Sequence, residues 1–311
     1  MSAVGLGRFR VESSGRLQRR LDLRDEPSGV LHGLLRLRQF TQDDGHVFLA
    51  EADVELEVAR FCSSLYDFYR CLGFSDIVVN FATRPAQRAG SDEVWDRAER
   101  ALSNAAQRAG LACQVKAGEG AFYGPKLEFE LGDRHGRRWQ CGTIQLDFVL
   151  PERFELAYDD RSGARVRPAM LHRAMVGSLE RFLGILLEHH DGRLPAWLAP
   201  EQVRVLPVHP EQRPYAEEVV ARLRECQLRA SLDDSNESLA RRVAEAHEMR
   251  VPLLWVVGAR EVAGRSVTER GPAEARRALP LSEAISGARQ ACAPPVSGRD
   301  GSAAALGAVF D

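Results

Sequence analysis

No apolar run in this chain of 311 residues approaches the ~20 needed to cross a bilayer. Its first twenty residues are basic but carry no apolar stretch of the kind a secretory leader needs. A cytoplasmic setting without membrane contact is the expectation. The six cysteines include no Cys-x-x-Cys pair, which argues against a disulfide framework and a self-contained zinc ribbon and predicts reduced thiols. Lysine is almost missing: Lys116 and Lys126 are the only two, so arginine carries nearly all the positive charge. There is no excess of either sign. The net charge of −2 gives no global attraction to nucleic acid, and a polyanionic partner must be held by local patches. Residues 1–40 carry eight Arg against four acids, whereas residues 201–291 carry 14 of each sign. A nucleophile elbow, a Walker loop and a Gly-x-Gly-x-x-Gly turn are all lacking. Phosphate chemistry here would have to rest on side chains projecting from a sheet.

What is present builds two domains. Apolar content of 44% and charged content of 28% suffice for ordinary cores, and the length suits two units. Residues 1–20 show no period and are expected to be poorly ordered. Leu21–Arg24 and Leu34–Thr41 read as strands around the turn-rich Glu26-Pro27-Ser28-Gly29. Residues 51–73 predict an amphipathic helix with Val54, Val58, Phe61, Cys62, Leu65, Phe68 and Tyr69 on one face. Ile77–Phe81 reads as a strand, and Ser91 as the cap of a helix over 92–109 with acids in its first turn. Lys126–Leu131 alternates and turns through Asp133–Gly136 into a second strand over 138–150. Residues 173–190 predict one long helix.

Pro195–Pro200 reads as a linker. Beyond it, strand (203–208), helix (212–226), strand (228–233), helix (237–248) and strand (252–257) alternate, the mark of a small α/β domain. The expected division is therefore 21–195, 201–291 and a flexible Ala-, Gly- and Pro-rich tail over 292–311.

Arg24-Asp25-Glu26 followed by Arg36 puts two guanidiniums and a carboxylate on neighbouring strands. Alone, that triplet is better explained by a surface ion pair. In context, the run from Arg24 through His32, Arg36, Gln42 and Asp44 to His46 resembles motif 2 of the threonyl-tRNA synthetases, a class II family. Thr83-Arg-Pro…Gly90-Ser-Asp-Glu-Val-Trp95 resembles the segment after those strands. Glu119-Gly-Ala-Phe-Tyr123-Gly-Pro-Lys126 and Gln140-Cys-Gly-Thr-Ile-Gln145-Leu-Asp147 resemble the family's central strands. His172-Arg173-Ala-Met-Val-Gly177-Ser178-Leu-Glu180-Arg181 resembles motif 3.

The resemblance implies an antiparallel α+β class II catalytic sheet with packed helices, followed by a small α/β anticodon-binding domain. It implies a threonine–tRNA ligase using threonine, ATP with Mg²⁺, and tRNA(Thr). Arg24 would bind the α-phosphate and the reacting carboxyl oxygen. Arg36 and Arg181 would hold the triphosphate and stack on adenine, a task that suits a planar guanidinium. Glu26 would accept from the adenine amino group, and Gln140 would support the nucleotide. Gln42, Asp44, Tyr123 and Gln145 would line the threonine pocket, with Asp44 accepting the substrate hydroxyl proton. In the second domain Asn236, Glu237 and Arg250 would face the anticodon.

The resemblance also implies zinc at His46 and His172 with a cysteine as third ligand. That cysteine belongs to an Asn-Cys-Pro-Gly-His segment ahead of motif 2, and residues 1–20 contain nothing like it. Cys141 sits in its own motif and is not the missing ligand. Motif 1, which forms the family's homodimer interface, and the N-terminal editing domains are unmatched too. Arg24, Arg36 and Arg181 favour retained chemistry in a ligase fragment or truncated paralogue. The unmatched dimer segment favours a non-catalytic tRNA- or synthetase-binding module, or a broken gene whose first residues are out of frame.

Overall fold

The computed structural model describes residues 14–270 and 275–295. They form two compact units, the second beginning at His190, a few residues before the linker expected from the prolines. Among the described residues, no helix is long and apolar enough to cross a membrane.

The first unit runs β1 (Ser14–Leu23), β2 (Gln39–Leu49), α1 (Val54–Cys71), β3 (Ile77–Ala82), α2 (Asp92–Arg108), β4 (Cys113–Lys116), β5 (Lys126–Gly132), β6 (Arg138–Asp147), α3 (Val149–Arg153), β7 (Tyr158–Asp159), β8 (Arg165–Val166), β9 (Ala169–Ala174) and α4 (Leu179–His189). Seven strands make one sheet in the order β1-β2-β9-β6-β5-β3-β4. All pairings are antiparallel except β3 with β4. Strand alternation gives the sheet two unlike faces. Val47, Leu171 and Leu146 are buried in register across β2, β9 and β6. The apolar stripe expected on α1 is buried at Val54, Val58, Phe61, Cys62, Leu65 and Tyr69, while Phe68 is only half-buried. Tyr66 of α1 meets Phe129 of β5 edge-on at 6.1 Å. The alternate positions, Gln42, Asp44, His46, Gln145 and His172, project to the other face.

Four local expectations are corrected. First, β2 runs Gln39–Leu49, not Leu34–Thr41. Arg36 and Arg38 turn back to bind Glu26, and Leu34 and Leu35 pack closely over Gly184 of α4, so residues 24–38 form a long loop. Second, residues 14–20, expected to lack order, lengthen β1 by pairing with β2; residues 1–13 lie outside the described residues. The sequence of residues 14–20 has no period of its own, and the neighbouring strand supplies its register. Third, β6 ends at Asp147 because its Oδ1 accepts the amides of Val149 (2.8 Å) and Leu150 (2.9 Å), which starts α3. Fourth, the expected long helix from 173 is a strand, a turn over 175–178 and then α4. Asp43 holds that turn by accepting the amides of Met175, Val176 and Gly177.

The second unit runs β10 (Val203–Pro207), α5 (Arg213–Glu225), β11 (Ala230–Leu232), α6 (Leu239–Glu248), β12 (Leu253–Val257), α7 (Ala259–Gly264), β13 (Ser266–Arg270), β14 (Arg276–Pro280) and α8 (Leu281–Ala291). Its sheet order is β11-β10-β12-β13-β14, parallel through β12 and antiparallel after it. Val203, Val205, Trp255 and Val257 pack with α5 and α8. Leu206, Leu254 and Val256 pack with α6. Both faces are thus buried, and the central strand β12, Leu253–Val257, is apolar throughout. Cys292, at the start of the expected flexible tail, is buried in the first of these cores. Residues 296–311 of that tail lie outside the described residues.

Candidate active site

The polar face of the first sheet floors a cavity of about 830 Å³, lined among others by Arg24, Glu26, Arg36, Gln42, Asp44, His46, Tyr123, Gln140, Gln145, His172 and Arg181. These positions span 158 residues of sequence, and antiparallel register brings them together. His46, His172 and Gln145 stand in one row across β2, β9 and β6. Gln42 and Asp44 share the face of His46 because they lie four and two residues before it on the same strand.

Gln145 and His172 in that row are held by neighbours. Gln145 is buried and donates its Nε2–H to the Gly124 carbonyl at 3.0 Å, which fixes the turn carrying Tyr123. His172 Nε2 lies 2.9 Å from Oδ2 of the fully buried Asp147. A carboxylate accepts, so Nε2 is the donor in this contact. The Tyr123 ring is 5.2 Å from that of His172. Burial, reinforced by the negative charges of Asp147 and Asp44, pushes the Tyr123 phenol above its ordinary range.

The arginines occupy the mouth. Arg36 donates from Nε and Nη2 to one oxygen of Glu26, at 3.2 and 2.9 Å. Arg24 lies over the Phe40 ring at 4.9 Å, and Arg181 over the Trp139 ring at 5.4 Å. Among the described residues neither Arg24 nor Arg181 pairs with a carboxylate, so both charges are available to an anion. Ser178 Oγ accepts the Arg181 amide at 3.2 Å and so starts α4. Glu180 accepts the Thr41 amide at 2.9 Å through both oxygens, joining α4 to β2. Gln140 donates to Glu128 at 3.0 Å, and Glu128 also receives Lys126.

A cavity of this size, with uncompensated guanidiniums at its mouth and paired polar groups at its floor, suits a phosphorylated ligand with a small polar second substrate. A catalytic zinc is a harder fit. The His46 and His172 rings are 4.7 Å apart, edge to face. Among the described residues no group of three His, Cys, Asp or Glu could hold a metal ion. Catalytic zinc takes three protein ligands, and the donors here stop at two imidazoles. Cys141 is buried, which pushes its thiol up to about 12 and leaves it inert.

The three residues expected at an anticodon belong to the second unit. Asn236 and Glu237 precede α6, where Glu237 pairs with Arg241 at 3.6 Å. Arg250 follows that helix in a left-handed conformation, φ 60°. A ten-residue helix separates them, about 15 Å along its axis. The buried Arg242 steadies the same region by donating to the carbonyls of Asp233 and Pro207 at 2.8 Å each. Sequence reasoning assigned no role to Asp43, Trp139 or Asp147. Asp147 could have been found, because it lies two residues beyond Gln145 on the same strand face. Asp43 and Trp139 give no such signal.

A family model described as the tRNA synthetase class II core domain (G, H, P, S and T) matches residues 22–190, and one described as an anticodon binding domain matches residues 202–290. The threonine–tRNA ligase of Paramagnetospirillum magneticum is 50% identical over 273 residues, covering 88% of this chain and 43% of that protein. That of Ehrlichia chaffeensis is 45% identical over 263 residues, covering 84% and 42%. The solved RNA binding domain of threonyl-tRNA synthetase from Cryptosporidium parvum is similar with a TM-score of 0.86 and 34% identity, over 93% of this chain and 73% of that one. The chain spans about two fifths of the length of the curated relatives it matches.

Proposed function

This chain belongs to the class II aminoacyl-tRNA synthetases, with a threonyl-type core and an anticodon-binding domain, and from that membership we propose that it activates threonine with ATP and transfers it to tRNA(Thr). The observation that carries the reading is the convergence of Arg24, Arg36 and Arg181 on one cavity whose floor presents Gln42, Asp44 and Gln145. In the first step an oxygen of the threonine carboxylate attacks the α-phosphorus of ATP. The bond to the bridging oxygen breaks and pyrophosphate leaves. In the second, a ribose hydroxyl at the tRNA 3′ end attacks the acyl carbon and AMP leaves with the bonding pair.

No protein nucleophile is needed, so the work is positioning and charge stabilisation. Arg24 holds the α-phosphate and the incoming carboxylate oxygen. Arg181 and Arg36 hold the outer phosphates and flank the base; Mg²⁺ arriving with ATP would offset phosphate charge. Glu26 offers the adenine amino group the oxygen that Arg36 leaves open, and Gln140 supports the nucleotide. Asp44 accepts the threonine hydroxyl proton, with Gln42, Tyr123 and Gln145 around it. A resident zinc would sit between His46 and His172 and bind the amino and hydroxyl groups of threonine. The described donors do not complete such a site, and no step here runs through it. Asn236, Glu237 and Arg250 serve tRNA contact in the second unit, in the cytoplasm where tRNA is charged.

Threonine-dependent pyrophosphate exchange by the purified chain tests the first step, and calorimetry with MgATP on wild type and Arg181→Ala tests the site. Threonine-dependent exchange, with MgATP affinity that R181A weakens, is expected. Equal heats for the two proteins would overturn the assignment of the cavity. Binding without exchange would point to a non-catalytic module.

A further inference from the structure

Arg181 is a charged side chain on the first turn of α4 with no carboxylate to hold it among the described residues. Arg36 and Arg173, which line the same cavity, are paired with Glu26 and Glu57. What Arg181 lies against is the indole of Trp139 on β6, its Cζ 5.4 Å from the ring. That indole is itself anchored. Its Nε1–H donates to Asp133 Oδ2 at 2.9 Å, and the Asp133 side chain has no exposure to solvent. Asp133 in turn accepts the amides of His135 and Arg137 at 2.9 and 3.0 Å and the Nε of Arg137 at 2.7 Å. The Arg137 guanidinium also lies over the Trp139 ring, at 5.1 Å, and pairs with Glu188 at the far end of α4. The ring is therefore tied both to the β5–β6 turn and to the helix that carries Arg181.

We infer that Trp139 is a positioning residue for Arg181: it holds the guanidinium at the cavity mouth through its π face while leaving the positive charge uncompensated. A carboxylate in that place would hold the guanidinium more tightly but would compete with incoming phosphate for the charge. A ring quadrupole is weaker and supplies orientation without neutralisation. Rigid orientation matters because a positioning group displaced by about 1 Å can cost on the order of 100-fold in rate. The inference rests on the assignment of Arg181 to ATP.

A double-mutant cycle on the full chain, read by MgATP calorimetry and by pyrophosphate exchange, tests it. Trp139→Leu removes the π face, and Trp139→Phe keeps it while losing the Nε1–H; W139M replaces W139L if that variant does not fold, as checked by urea unfolding. The expected result is about tenfold weaker MgATP binding and a raised KM for ATP in W139L, on the scale of a partly desolvated cation–π contact. W139F is expected to stay within about threefold of wild type, and W139L is expected to add nothing in an R181A background. W139L binding like wild type, or weakening binding equally with and without Arg181, would overturn the inference. If R181A alone leaves MgATP binding unchanged, the cavity assignment has failed instead.

Discussion

Asp43 and Gly177 are joined by reciprocal hydrogen bonds: the Gly177 amide donates to Oδ1 of Asp43 at 2.8 Å, and the Asp43 amide donates to the Gly177 carbonyl at 3.3 Å. With the amides of Met175 and Val176 on its other oxygen, at 2.6 and 3.0 Å, Asp43 organises the turn that launches α4. The strand bearing Gln42, Asp44 and His46 is thereby locked to the helix bearing Arg181. Replacing Asp43 by Ala leaves three backbone amides without their acceptor. At roughly 1 kcal/mol or more for each, the first unit should lose about 3 kcal/mol. Urea unfolding measures this, and a loss below about 1 kcal/mol would show that the turn holds itself. MgATP binding should weaken alongside.

Asp133 gives a pH signature. Burial alone would raise its carboxyl, but hydrogen bonds from Trp139 and Arg137 outweigh that and bring it to about 2, below the ordinary 3.8. A carboxyl depressed in the folded state contributes stability that is present above the unfolded pKa and is lost as pH falls through the folded one. The window is therefore pH 4 down to 2, and the amount is about 2 kcal/mol. Unfolding free energies of wild type and Asp133→Asn, compared from pH 6 to pH 2, should converge by about that amount. Parallel curves would rule the coupling out.

Gly124 leaves no room for a side chain. A Cβ there would run into the carbonyl oxygen of Leu146, and backbone cannot step aside as a flexible side chain can. Gly124→Ala should therefore push the Tyr123 turn away from β6 and strain the Gln145 contact. A loss of about 3 kcal/mol is expected, at the upper end for overpacking. Thermal unfolding checks it. Gly136, in an open turn with nothing within 4 Å of the added Cβ, is the contrast on space alone, since its φ of +76° brings a conformational cost but no clash.

Zinc should bind weakly. Two imidazoles forfeit much of the free energy of a three-ligand site, so a dissociation constant above about 1 μM is expected. After dialysis against a mild chelator, elemental analysis should find well under one zinc per chain. Whatever binds on readdition should disappear in His46→Ala. One retained zinc per chain would mean that another donor completes the site.

Much of this protein is determined by the sequence read alone. Lys126–Leu131 is legible as a strand because its side chains alternate, and the stripe from Val54 to Tyr69 must be a helix face because it repeats every three to four residues. The strand–helix rhythm after 203 specifies a second α/β unit before any contact is known. Periodicity is a local property, and it resolves what is locally determined.

Tertiary structure decided the rest. Residues 173–190 look like one helix until Asp43, 132 positions away from Met175, binds the turn amides and divides strand from helix. Leu34–Thr41 looks like a strand until Arg36 and Arg38 fold back on Glu26 and the two leucines find Gly184. The row of His46, His172 and Gln145 exists only through the register of three strands, two of them joined at residues 126 positions apart. Nor does the sequence reveal that Arg36 is neutralised by a carboxylate whereas Arg181 rests on an indole. Which partner a charged side chain finds is settled by the neighbours that folding brings within its reach, and no periodicity encodes it.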